Sequence, residues 1–142
     1  MRLLALAWLL AASIFLAMDA VWLGVMTPLL YRPQIGGLMR ASFDVLPALL
    51  FYLLYTGGMV ALAIAPGLSG SRASGAAWRG ALLGLVAYGA YDLTNQATLQ
   101  GWPWAVTLAD LAWGCAATSA ASALACAATL AIARRQAARR RR

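Results

Sequence analysis

Four aspartates are the only acidic residues in a chain of 142, and no lysine or histidine accompanies them. Asp19-Ala-Val-Trp22 and Asp110-Leu-Ala-Trp113 repeat one pattern, a carboxylate with an indole three residues on, which shares a helical face. An indole N–H can donate to a carboxylate, so each pair reads as an acid with its own donor. Tyr88, Asp92 and Asn95 follow at i, i+4 and i+7, a third stripe with Tyr91 and Gln96 beside it. Asp44 precedes Val45-Leu46-Pro47 and reads as a helix N-cap. Such groups can bind a cation or a proton, or can hydrogen-bond helices to one another. The sequence offers no nucleophile–base pair, phosphate-cradling glycine loop or metal-ligand cluster, so no catalytic residue, metal site or cofactor is expected.

The surroundings decide how much these carboxylates matter. With 63% hydrophobic and 11% charged residues, the chain lacks the polar material for a water-facing surface. It reads as one integral membrane domain. Windows of about 20 apolar residues, the length that crosses a hydrocarbon core, fall at about 3–26, 45–65, 78–99 and 104–133. The expected fold is all-α, a polytopic transmembrane four-helix bundle over residues 1–133 with a basic tail at 134–142. The connector from Thr27 to Asp44 carries Pro28, Pro33 and Gly36-Gly37 and reads as helix-breaking. APGLSGSRASGAAWR reads as a short solvated loop, and Gln100-Gly101-Trp102-Pro103 closes a tight antiparallel hairpin. The first segment has the look of a signal peptide, but its apolar run continues through Met26, so it is kept as a helix.

Arginine sets the expected orientation. With four spans, the termini and the middle loop share a side holding Arg2, Arg72, Arg79 and the six tail arginines, nine against only Arg32 and Arg40 opposite. Both termini are expected in the cytoplasm and the chain in the inner membrane as a multi-pass protein. The tail RRQAARRRR reads as a topology anchor touching anionic lipid headgroups rather than nucleic acid.

Depth then follows from a rise of 1.5 Å per residue. Asp19 lies about 24 Å from an inner start, Asp92 about 20 Å, and Asp110 about 9 Å from an outer start at Trp104. All three arrive at one level near the outer leaflet, with Asp44 at the outer mouth of the second span. A carboxylate at the middle of a spanning helix costs about 2.5–3.5 kcal/mol on insertion scales, so three at one depth should face one another. The candidate polar cluster is Asp19, Trp22, Tyr88, Tyr91, Asp92, Asn95, Gln96, Asp110 and Trp113. Trp102 and Trp104 read as outer interfacial anchors, and Trp8 and Trp78 as inner ones. The small residues of GCAATSAASALACAA and of Gly80-Ala-Leu-Leu-Gly84 predict close helix packing, within the bundle or against another copy. Cys115 and Cys126 are spaced along one helix too far apart to bridge, and read as packing residues.

FLAMDAVWLGVMTPLLY, PALLFYLLYTGGMVALAIAP, GALLGLVAYGAYDLTNQATLQGWPW and TLADLAWG carry a resemblance over roughly Leu3 to Ala117. Together they resemble a family of small bacterial four-helix membrane proteins catalogued as a domain of unknown function, family 2177. The resemblance implies a four-helix inner-membrane protein and brings no activity, substrate or site residues. Three functions stay open: a small transporter or permease, a non-catalytic membrane partner subunit or homo-oligomer, and a lipid- or isoprenoid-modifying enzyme. They differ in what surrounds the aspartates. A carrier needs a cavity, structural glue is sealed, and an enzyme needs a lateral opening to lipid.

Overall fold

A computed structural model describes residues 2–140, so Arg141 and Arg142 of the basic tail lie outside the described residues. All regular structure there is helical. The elements are α1 (Arg2–Met26), α2 (Arg32–Ile35), α3 (Val45–Met59), α4 (Ala65–Ser69), α5 (Ala73–Thr98) and α6 (Trp104–Arg140). Three helical runs are long and apolar enough to cross a membrane: Arg2–Leu38, Val45–Ser69 and Trp104–Arg139. The expected third span, α5, has the length at 26 residues but falls outside that group. Its composition explains this, since glycines and alanines fill its first half and Asp92-Leu-Thr-Asn-Gln its last turns.

Two expected breaks are helical instead. Proline has no N–H to give the turn before it, and its ring crowds the carbonyl four residues back. The chain accommodates Pro33 by widening into a π turn over Thr27–Tyr31, which holds Pro28 near its start and where the Arg32 N–H reaches the Thr27 carbonyl five residues back. The helix therefore runs on through α2 and a 3₁₀ turn at Gly36–Leu38. A second π turn at Val60–Ile64 precedes Pro66 in the same way, and α4 extends the second run to Ser69. Of the loop expected around 65–79, only Gly70–Arg72 is not helical; Gly67 and Ala76 are buried against each other. Asp44 caps α3 as expected, accepting from the Leu46 N–H at 3.3 Å.

α5 and α6 form the tightest pair. Between helices in lipid the packing term is dispersion rather than water release, so close approach of small residues decides which helices pair. A Cβ on Gly80 would lie 2.6 Å from the Thr118 carbonyl, and one on Gly84 would collide with the Gly114 carbonyl. The Gly114 position is in turn covered by the Tyr88 ring. The small-residue stripes of both helices thus meet each other. Gly101 turns the hairpin at φ 75°, left-handed backbone that glycine adopts without strain. A closed ring of bonds locks that turn: Trp102 Nε1 donates to Thr107 (3.1 Å), Thr107 to Gln96 Oε1 (3.1 Å), and Gln96 Nε2 to the Trp102 carbonyl (3.0 Å).

The apolar core lies below the acidic level, where Ala7, Ala11 and Phe15 of α1 meet Tyr55 and Met59 of α3 and Ala117, Ala121 and Cys126 of α6. Cys115 and Cys126 are both free thiols. Leu49, Leu54, Leu62, Val86, Leu108 and Leu124 point outward and are more than half exposed, the surface expected of a chain solvated by lipid. Trp8 is not a free anchor: its indole donates to Thr56 Oγ1 at 3.0 Å, inside the bundle. Trp102 is likewise buried rather than interfacial, whereas Trp78 and Trp104 are exposed.

Candidate functional site

The helices bring Asp19, Asp92 and Asp110 into the wall of one cavity of about 1180 Å³. Of the nine candidate cluster residues, Trp22, Tyr88, Tyr91 and Trp113 line it as well. Asn95 and Gln96 do not. Asn95 closes α5 through its carbonyl, which accepts the Leu99 N–H at 2.8 Å, and Gln96 is committed to the hairpin ring.

The indoles serve acids other than those expected. Asp19 and Trp22 share a face of α1, and Asp110 and Trp113 share a face of α6, so the two motifs meet where α1 packs on α6. The indole rings stack at 4.4 Å between centroids and 6° between planes. Neither N–H bonds the carboxylate of its own helix. Trp113 Nε1 donates to Asp19 Oδ1 at 3.1 Å. Trp22 Nε1 donates to the Tyr31 hydroxyl at 2.7 Å, and Tyr31 donates to Asp110 Oδ1. The expectation that each indole serves the acid one turn before it is therefore corrected.

Two tyrosines that sequence reasoning missed complete the arrangement. Tyr52 of α3 donates to Asp19 Oδ2 at 2.5 Å, so Asp19 holds donors from two other helices. Tyr31 reaches Asp110 only because the π turn carries the first helical run beyond Met26. The Tyr52 hydroxyl could have been sought from its class, since a tyrosine within an apolar span normally finds a polar partner.

Asp92 differs from the other two. It is fully buried, and neither carboxylate oxygen has a hydrogen-bond partner among the described residues. Asp110 lines the same cavity, and the only arginines among the lining residues are Arg32 and Arg40. Both arginines are exposed, and Arg40 pairs with Asp44 at 3.6 Å. The cavity thus has an acidic, aromatic interior and an exposed charged rim, with Phe51, Pro47 and Val106 in its apolar wall. Chemically it can neutralise a positive charge or hold a proton. It presents no donor pair aimed at a single reacting atom.

A family model described as "Predicted membrane protein (DUF2177)" matches residues 4–127. No curated protein and no solved structure matches the chain.

Proposed function

The chain belongs to the DUF2177 family of predicted membrane proteins, and from that premise we propose a small transporter or permease that binds a cation or proton at its aspartate-lined cavity. The observation that carries the reading is Asp92, a buried carboxylate without a partner in the wall of a cavity it shares with Asp19 and Asp110. A buried charge or polar group with no partner lowers stability, and such groups persist where a ligand supplies the missing contact. Structural glue would be paired throughout. Asp19 and Asp110 are paired, which favours a positioning role for them and leaves Asp92 as the ligand-facing group.

In this reading α5 is the third span of a bundle that crosses a bacterial inner membrane four times. Its 26 residues extend about 39 Å, enough for the hydrocarbon core, and its Gly80 and Gly84 face α6 rather than lipid. Nine arginines against two place both termini in the cytoplasm and the cavity at the outer leaflet. The exposed Arg134, Arg135 and Arg139 at the end of α6 then meet anionic headgroups. The second reading, a non-catalytic partner subunit or homo-oligomer, draws on the cross-helix bonds of Asp19 and Asp110, which specify helix pairing.

A thermal-shift screen of the purified protein in detergent tests the proposal. Ligand bound only to the folded state at 100 times its Kd stabilises by about 2.7 kcal/mol. A cation, or a change of pH, should raise the melting temperature of the wild type and leave Asp92→Asn unmoved. Identical responses from both proteins would favour the partner reading.

A further inference from the structure

The cavity is far larger than its charge requires. An inorganic cation or a proton would engage Asp92 and leave nearly all of about 1180 Å³ unaddressed, whereas pockets for drug-sized organic molecules span roughly 300–1000 Å³. Among the described residues no three metal-ligating side chains are grouped to hold an ion, so the acids do not form a compact coordination shell. They are instead distributed around a wall that is otherwise aromatic and aliphatic.

That wall has two kinds of contact to offer. The stacked Trp22 and Trp113 pair, Tyr88 and Phe51 present ring surface from four different segments of the chain. Ring faces attract cations, most strongly where water is excluded, and they bury apolar area at little conformational cost. Asp92 supplies the one buried carboxylate with both oxygens unclaimed. A neutral ligand would leave that group unpaired, and an anion would face three carboxylates inside the cavity. Arg32 and Arg40 do not reverse this, because both stand exposed and Arg40 is already held by Asp44.

We infer that the ligand is an amphipathic organic cation, a single positive charge on an apolar body, seated with its charge at Asp92 and its body against the Trp22–Trp113 pair and Phe51. The inference rests on the cation-binding reading of the same cavity and narrows it to a substrate class. Asp19 and Asp110 act as positioning residues, held by Trp113, Tyr52 and Tyr31 so that the indole pair keeps its place in the wall.

The test uses two probes of nearly equal size and shape and opposite charge, tetraphenylphosphonium and tetraphenylborate. Equilibrium dialysis against the purified full chain in detergent, with empty micelles subtracted, gives the saturable component for each. Tetraphenylphosphonium should bind saturably and tetraphenylborate should not. Asp92→Asn should weaken tetraphenylphosphonium at least tenfold, Asp92→Glu should retain it within a few-fold, and sodium should not displace it. If Asp92→Asn does not yield a monodisperse protein, the contrast between the two probes on the wild type still decides. Equal or preferred binding of tetraphenylborate, or no saturable binding of tetraphenylphosphonium, overturns the inference. In that event sodium and pH arms separate the two levels. A melting-temperature response to either that Asp92→Asn abolishes leaves a small-cation or proton site standing, and its absence removes the cation reading as well.

Discussion

The indole of Trp113 donates to Asp19 at 3.1 Å, joining two residues ninety-four positions apart and by-passing Asp110 on its own helix. It accompanies ring stacking: Trp22 and Trp113 lie face to face, and neither N–H bonds the carboxylate of its own helix. Hydrogen bonds between helices in lipid average about 0.6 kcal/mol, and those to charged groups reach about 1.5–3 kcal/mol.

The exchange predicts where energetic coupling resides. In a double-mutant cycle, Trp113→Phe and Asp19→Leu should couple by about 0.5 kcal/mol or more, because each removes the same bond. Trp22→Phe and Asp19→Leu should couple less, because Trp22 makes no bond to Asp19 and reaches it only through the Trp113 ring it stacks on. Reversible unfolding in mixed micelles measures both. Coupling of the sequence-local pair instead would show that each indole serves its own acid.

The seam between α5 and α6 predicts a second contrast. Gly84→Ala drives a methyl into the Gly114 carbonyl and should destabilise by about 1–3 kcal/mol, as overpacking does. Gly58→Ala, where nothing lies within 4 Å of the added Cβ, should be neutral or stabilising by up to about 1 kcal/mol through helix propensity. Equal effects at the two positions would mean that α5 and α6 do not approach so closely.

The proposed orientation predicts a labelling pattern. With Cys115 and Cys126 replaced by alanine, Gln34→Cys should react with an impermeant thiol reagent added to intact cells, and a reporter fused after Arg142 should be active only in the cytoplasm. Labelling of Gln34→Cys from the cytoplasmic side alone would invert the depth assignments.

That Asp19, Asp92 and Asp110 come together was legible in the sequence because helical rise converts residue number into position along the bundle, and all three line one cavity. Azimuth was not legible to the same degree. Gln96 lies close to Asp92 in helical angle, yet a further turn along α5 it belongs to the Trp102–Thr107 ring. The donors of Asp19 and Asp110 come from other helices, and helix neighbourhood is a tertiary property that no single stripe contains. Tyr52 could have been placed by the depth argument, since it lies about 12 Å from Asp44 along the second helical run. Tyr31 could not, because Pro28 and Pro33 read as breaks and the π turn ahead of Pro33 leaves no signal of its own. The close α5–α6 contact, by contrast, was visible in the glycines and alanines that permit it.

The role assigned to Asp92 is tested most directly by its effect on stability without any ligand, set beside that of Asp19. Asp92→Leu removes a buried carboxylate that pairs with nothing among the described residues, and Asp19→Leu strips Tyr52 and Trp113 of their acceptor. Leaving a buried polar group unsatisfied costs about 1–3 kcal/mol, so the two substitutions should have opposite signs. Melting temperatures in detergent should rise for Asp92→Leu and fall for Asp19→Leu. A fall for Asp92→Leu as large as that for Asp19→Leu would show that Asp92 is committed to holding the helices together and is not free to meet a ligand.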